Sequence, residues 1–412
     1  MLSIKTKTLL VLFTCYLFIP SLILAVLSQP SYATGILLFS TIVIAIGIYL
    51  KSQNKIRKYS LSKKILTRVI VFFSFLFIHS ITVLLFVGEF ETPRFLGTIF
   101  LFVLMLLSAY LFTLIIENTS EFTFNKSLKY ILYLFIVILI SSGVLKYNPL
   151  QSSYTFFNRP LFPFIEPSHF ALIFAPFYLW IIISQKKVIV RIFIVLLSTT
   201  LLFYIENLTL VCLISIGAYF AFGLKKIWYF LLPFIYVIPF LDLNLDYYTS
   251  RVDLSFSNEN ISTLVWLQGW QEASIYFKNT QGIGIGFQQF GVSDPKGDIA
   301  NTVYYLLDFY TNRHDGGTFG AKLVGEFGII GIVIILIMMY QIIKSFLFLS
   351  KLKTGAPKSY QLIFYHCCIF YFVLELFVRS TSYVAPGFFI FLVGLIGVSI
   401  KKANTTSSMI TL

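Results

Sequence analysis

The chain has 412 residues, 58% of them hydrophobic and only 12% charged, with a mean hydropathy of +0.87 and a formal net charge of +14. A soluble domain of this length cannot be so apolar, and the runs lack the short alternation of barrel strands, so the composition implies an all-α, polytopic transmembrane helical bundle. The positive charge reads as topogenic and lipid-facing, attracted to anionic inner-leaflet lipids, and gives no argument for nucleic acid.

In chain order, spans are predicted over residues 9–28, 35–50, 69–88, 96–116, 130–145, 169–184, 192–205, 208–224, 227–241, 319–343, 360–378 and 386–400, about twelve in all. The first is read as a retained span, because residues 26–28 lack a small-x-small cleavage site. Three regions follow: an N-terminal bundle of about nine spans (1–241), a large outer loop containing short helices (242–318), and a C-terminal segment of about three spans (319–412). Of 31 basic residues, 22 fall in gaps of one sidedness, including seven between Lys51 and Arg68, whereas only Glu117 and Glu121 of 17 acidic residues do. The excess of Lys and Arg marks that side as cytoplasmic and places both termini there. Cys15, Cys212, Cys367 and Cys368 all lie within spans and read as small apolar fillers.

Two outer segments, 146–168 and 242–318, are too long for simple connections. The larger is rich in aromatics, and its spacing predicts a helix over 262–278, capped by Ser262, with Trp266, Trp270, Ala273 and Phe277 on one face. That stripe fits either the bilayer interface or packing on the bundle. No internal repeat is evident, which disfavours a transporter made of duplicated halves.

Five of the eight arginines, Arg94, Arg159, Arg251, Arg313 and Arg379, fall in outer gaps, against only Lys146, Lys278, Lys296 and Lys322 of the 23 lysines. A general need for positive charge would recruit both residue types, but the planar guanidinium binds phosphate with two donors and stays charged when partly buried. The bias points to a phosphorylated substrate at the outer face. Arg159 stands in a proline-stiffened loop before Glu166, at the start of a helix whose N-terminus favours anions; alternatively Arg159 and Glu166 pair with each other or with headgroups. Arg379 lies four residues after Glu375, at the spacing of a helical pair, and Arg94, beside Glu89 and Glu91, reads as a solvated loop residue.

The second constellation runs from Asn312 to Gly317 and contains Arg313, His314 and Asp315, directly before a span carrying Lys322 and Glu326. Those two ionisable groups lie about 8 and 13 Å along a helix starting near Gly317, where a lone charge costs on the order of 3 kcal/mol, so they face a polar cavity or each other. His314 is a candidate general base, with Asp315 beside it; the plain reading is a solvated loop histidine. His169 is either a cavity residue or a first-turn residue bonded to backbone, and His79 and His366 read as core histidines. The run Gly282–Gly286 neither follows a strand nor carries a P-loop lysine, so it reads as a flexible turn near a bulky substrate rather than a nucleotide site. Without HExxH, paired CxxC or DxD, no metal and no cofactor is implied.

Several segments together resemble the Wzy-type O-antigen and capsule polymerases, within the group that includes O-antigen ligases. They are Glu166-Pro167-Ser168-His169-Phe170, Leu267-Gln268-Gly269-Trp270-Gln271-Glu272, Gly282 to Gly291, Asp315 to Gly328, and Phe377-Val378-Arg379 with Tyr383. His314 with Gly325 and Gly328 also resembles the ligase pattern, although Asp315 stands where that pattern has Asn, Ser or Gln. The resemblance implies a glycosyltransferase that joins undecaprenyl-pyrophosphate-linked repeat units on the periplasmic face, without metal or nucleotide sugar. Donor and acceptor glycan are then its partners, together with membrane lipids, and it leaves room for a chain-length regulator protein. On that reading Arg159, Arg251 and Arg379, with Arg313 as a fourth, hold the leaving pyrophosphate. The base comes from His314, Glu166 or Asp315, and His169, Lys322, Glu326 and Trp270 line the cavity. The competing expectations are an O-antigen ligase acting on a lipid A core and a lipid-linked oligosaccharide flippase or other transporter.

Overall fold

The computed structural model describes residues 4–27, 31–54, 63–88, 90–144, 161–202, 205, 207–223, 245–255, 258–292, 297–311, 314–352, 359–380 and 382–410. Among them the chain is helical, with no strand beyond a single bridge between Leu161 and Phe164. The helices are α1 (Ile4–Val26), α2 (Ala33–Ser52), α3 (Lys63–Phe86), α4 (Thr92–Glu117), α5 (Glu121–Ile138) with a π-helical turn Leu139–Val144, α6 (Pro167–Ser184), α7 (Val188–Leu202), α8 (Leu208–Phe222), α9 (Leu245–Val252), α10 (Ile261–Asn279), α11 (Asp298–Leu307), α12 (Phe319–Ser350), α13 (Tyr360–Phe370), α14 (Phe372–Phe377) and α15 (Pro386–Ile410).

Nine described stretches are long and apolar enough to cross a membrane, namely α1 to α6, α12, α13 with α14, and α15. Two further spans expected from the sequence are apolar but shorter, Val188–Thr199 and Leu208–Phe222, and the one at 227–241 lies outside the described residues. Boundaries differ where polar chemistry extends a helix past its apolar run. Helix α5 begins at Glu121 rather than residue 130, because the Ser120 hydroxyl accepts from the Thr123 amide and caps it. In the outer segment the cap of α10 is Asn260, whose side chain accepts from the Ser262 and Thr263 amides, so the helix starts ahead of the expected Ser262 cap.

Lipid supplies no hydrophobic drive between helices, so tight packing must hold the bundle. Its centre is a cluster of aromatic rings from α1, α2, α4, α5, α6, α13 and α15. Phe13 meets Phe112 edge-on at 5.2 Å, Phe39 meets Phe389 at 5.0 Å, and Phe135 meets Phe174 at 5.0 Å. Apolar side chains on α3 (Ile78, Leu85, Phe86) and on the second half of α12 (Leu336, Ile337) are exposed, as a surface facing hydrocarbon requires. His366, whose Nδ1 lies 3.0 Å from the Ser345 hydroxyl and whose ring stacks on Phe348, is a satisfied interior histidine.

Two ends of the bundle are defined by contacts between distant residues. At one, the start of α4, the start of α6, the loop before α12 and the segment after α14 meet. At the other, the end of α4 meets the start of α13 and the last part of α15, through Glu117, Gln361 and Lys401.

Candidate functional site

Helix α12 brings the first polar groups. Gly316 and Gly317 turn the chain, and Thr318 caps the helix by accepting from the Ala321 amide at 3.1 Å. Helix α10 crosses this turn so closely that a Cβ on Gly269 would sit 1.9 Å from the Gly316 carbonyl oxygen, so only glycine fits there. One turn into α12, Lys322 is 1% exposed and Glu326 0%, and their charged atoms are 3.9 Å apart. They face each other, one of the two arrangements the sequence allows. Lys322 Nζ also donates to the His314 carbonyl (2.6 Å) and to Gln288 Oε1 (3.2 Å), and lies over the Tyr383 ring at 5.1 Å. Glu326 Oε1 accepts from the Phe290 amide. Its other oxygen faces the Tyr383 hydroxyl, and neither atom attains full hydrogen-bond geometry with a described residue.

The glycine-rich run 282–286 is not the flexible turn expected from the sequence. Gly328 has φ 57° and ψ −128°, a conformation open to glycine, and it breaks α12. The carbonyls of Gly325 and Glu326, released from the helix ladder, accept from the amides of Ile285 (3.1 Å) and Gly286 (2.9 Å), and the Ile329 amide donates to the Gly282 carbonyl (2.8 Å). The run is a splice across the helix break. It fixes the half-turn that carries Glu326 and delivers Gln288 and Phe290 to the buried charges.

The second group gathers where α6 begins. Glu166 precedes that helix, and both of its carboxylate oxygens accept from Arg379 Nη2, at 3.2 and 3.1 Å. The expected i, i+4 pair with Glu375 does not form, because α14 ends at Phe377 and Arg379 turns toward α6. Glu375 instead points inward, with its carboxylate against Gly387. The Ser168 hydroxyl donates to Glu166 Oε2 (2.8 Å), and His169 Nε2 is 4.0 Å from the same oxygen. Burial alone would raise the Glu166 carboxyl, but the Arg379 guanidinium, the His169 ring and the Ser168 hydrogen bond outweigh it and hold it down at about 2. Of the Arg379 guanidinium nitrogens only Nη2 bonds a described residue, so the other two keep donor capacity.

Asp315 joins the two groups. The Ser380 amide donates to the Gly317 carbonyl at 3.1 Å, which ties this loop to the residue after Arg379. The half-buried Asp315 carboxyl lies in the fields of Lys322, Arg379, Arg94 and Glu166; burial raises it above the ordinary carboxylate range and the three cations oppose that rise. Arg94 is no solvated loop residue. It sits half-buried in the first turn of α4 with Nη1 3.0 Å from His314 Nδ1. The same nitrogen lies 3.4 Å from the Phe290 carbonyl. A guanidinium only donates and a carbonyl only accepts, so Nδ1 is shared between the two contacts and the tautomer decides which of them is a hydrogen bond.

Of the other sequence candidates, Arg251 lies on α9, packed at the start of α10, where the Thr263 hydroxyl donates to its carbonyl. Trp270 packs against Gly320 on α12, and Trp266 Nε1 donates to the Phe377 carbonyl at 2.9 Å, so the tryptophan stripe faces the bundle. Arg159 and Arg313 lie outside the described residues. Gln288 and Arg94 join the site through contacts that no local pattern marks; that of Arg94 with His314 spans 220 positions. The only local signal for Gln288 is its place in the glycine-rich segment. No protein-family model, no curated protein and no solved structure matches this chain.

Proposed function

We propose that the chain is an inner-membrane glycosyltransferase that polymerises undecaprenyl-pyrophosphate-linked oligosaccharide repeat units by inverting, metal-independent transfer. The observation that carries this reading is Asp315, a half-buried carboxylate in the joint field of Arg94, Lys322 and Arg379 at one end of an apolar bundle. Such a place suits a lipid-borne anion and a proton acceptor at once. In the proposed step an acceptor hydroxyl forms a new bond to the anomeric carbon as the bond from that carbon to the pyrophosphate oxygen breaks. The hydroxyl proton passes to Asp315, and the charge left on the pyrophosphate is met by Arg379 and Arg94.

Asp315 is favoured over the other candidates for physical reasons. A carboxyl held at about 2, as in Glu166, is a weak proton acceptor near neutral pH, and His314 Nδ1 already lies against Arg94 Nη1 and the Phe290 carbonyl. This reading takes the Arg379 end as periplasmic, the Lys401 end as cytoplasmic with both termini, and the shorter α7 and α8 with residues 227–241 as the remaining spans of twelve.

The test is purified protein supplied only with the lipid-linked repeat unit. Lengthening of the glycan supports a polymerase. Transfer that requires a lipid A core acceptor makes it a ligase, and a null strain that accumulates repeat units on the inner leaflet makes it a flippase.

A further inference from the structure

Arg379 already holds an anion, and that anion belongs to the protein. Glu166 stands where a phosphate oxygen would stand: both carboxylate oxygens lie within 3.2 Å of Nη2, yet they engage one nitrogen of the fork, and the other two bond no described residue. Neither partner is sealed in the core, since Arg379 is 15% exposed and Glu166 21%. The groups facing the carboxylate are Arg379, Ser168 and His169, with Asp315 in the same field and the Tyr32 ring behind His169. Glu166 is also the residue preceding α6, and its side chain caps no amide of that helix. The carboxylate is therefore not needed to finish the helix.

We infer that Glu166 is a built-in competitor for the anion seat on Arg379, so that a phosphate or pyrophosphate group binds by exchange with this carboxylate. The inference rests on the reading of this end as an anion site. It assigns Glu166 a positioning role: it holds the guanidinium in place while the seat is empty and yields it to a ligand of higher charge. On release the carboxylate keeps its Ser168 hydrogen bond, with the His169 ring 4.0 Å away.

Exchange makes a prediction opposite to that for a supporting residue. Weakening the Glu166 contact should strengthen anion binding, because less of the gain is spent on breaking the pair. Inorganic pyrophosphate is the probe, with affinity measured by calorimetry on the purified full chain in detergent. Glu166→Gln is expected to tighten binding roughly tenfold or more, the scale of one charge-assisted hydrogen bond. Glu166→Asp keeps the charge but draws the carboxylate back by one methylene, and should also tighten binding. If Glu166→Gln binds more tightly while Glu166→Asp matches the wild type, background charge alone is at work and exchange is wrong. Weaker binding in both variants makes Glu166 a supporting residue and also overturns the inference. If neither the wild type nor either variant binds pyrophosphate, the anion site itself fails, which is a separate outcome.

Discussion

The two ends of the bundle each carry an ion pair of nearly the same length, Arg379 with Glu166 at 3.1 Å and Lys401 with Glu117 at 3.0 Å, yet they are built differently. At the Lys401 end the carboxylate also accepts from the Tyr365 hydroxyl at 2.9 Å. Gln361 donates to the carbonyls of Ile116 and Thr119 and accepts from Lys401. That network clamps the end of α4 to α13 and α15. At the Arg379 end donors are left over: two guanidinium nitrogens and Trp270 Nε1, none bonded to a described residue. Distance alone does not separate the two pairs; unspent hydrogen-bonding capacity does.

The sharpest way to break the comparison is to remove the cation at each end. Arg379→Ala should cost ~100-fold or more in glycan transfer, as loss of one transition-state donor does. Lys401→Ala should leave transfer unchanged and lower the melting temperature, with a stability loss of roughly 1–3 kcal/mol for a carboxylate left without its cation. Comparable transfer by the two variants would erase the distinction. Asp315→Asn should lower kcat by roughly 100-fold with KM little changed, the range expected for losing a general base. Gly328→Ala should act through the helix break: a side chain at φ 57° is strained and its Cβ would meet the Gly282 carbonyl at 1.9 Å. A stability loss of roughly 1–3 kcal/mol or more, read as a lower melting temperature in detergent, would confirm that the glycine run is a splice.

The smallest effect concerns pH. Because the folded Glu166 carboxyl sits at about 2, below its ordinary 4.5, its stabilising contribution is complete above pH 4.5 and is lost as pH falls through 2. Melting temperature should therefore drop more steeply over that window in the wild type than in Glu166→Gln, and equal slopes would mean that the pair stabilises nothing.

Much of this was legible in the sequence, and the residues show why the rest was not. Apolar run length reveals the long helices, and spacing puts Lys322 and Glu326 on one helix face while leaving open whether they meet a cavity or each other, because both are local properties. The glycine run was visible but its role was not: splicing requires a partner helix broken at Gly328, some forty residues away. Arg94 looked like a loop residue because its partner His314 is 220 positions distant, and Arg379 was read with its near neighbour Glu375 rather than Glu166, 213 positions away. Local spacing finds pairs on one helix, whereas pairs between helices follow from packing that no single-sequence pattern encodes.

The most direct test of the central claim is the release of undecaprenyl pyrophosphate, measured together with glycan length, by purified wild-type, Arg379→Ala and Asp315→Asn proteins given only the lipid-linked repeat unit. The wild type is expected to release one lipid pyrophosphate for each bond formed, and either variant almost none. Wild-type rates of coupled release and lengthening in both variants would contradict it.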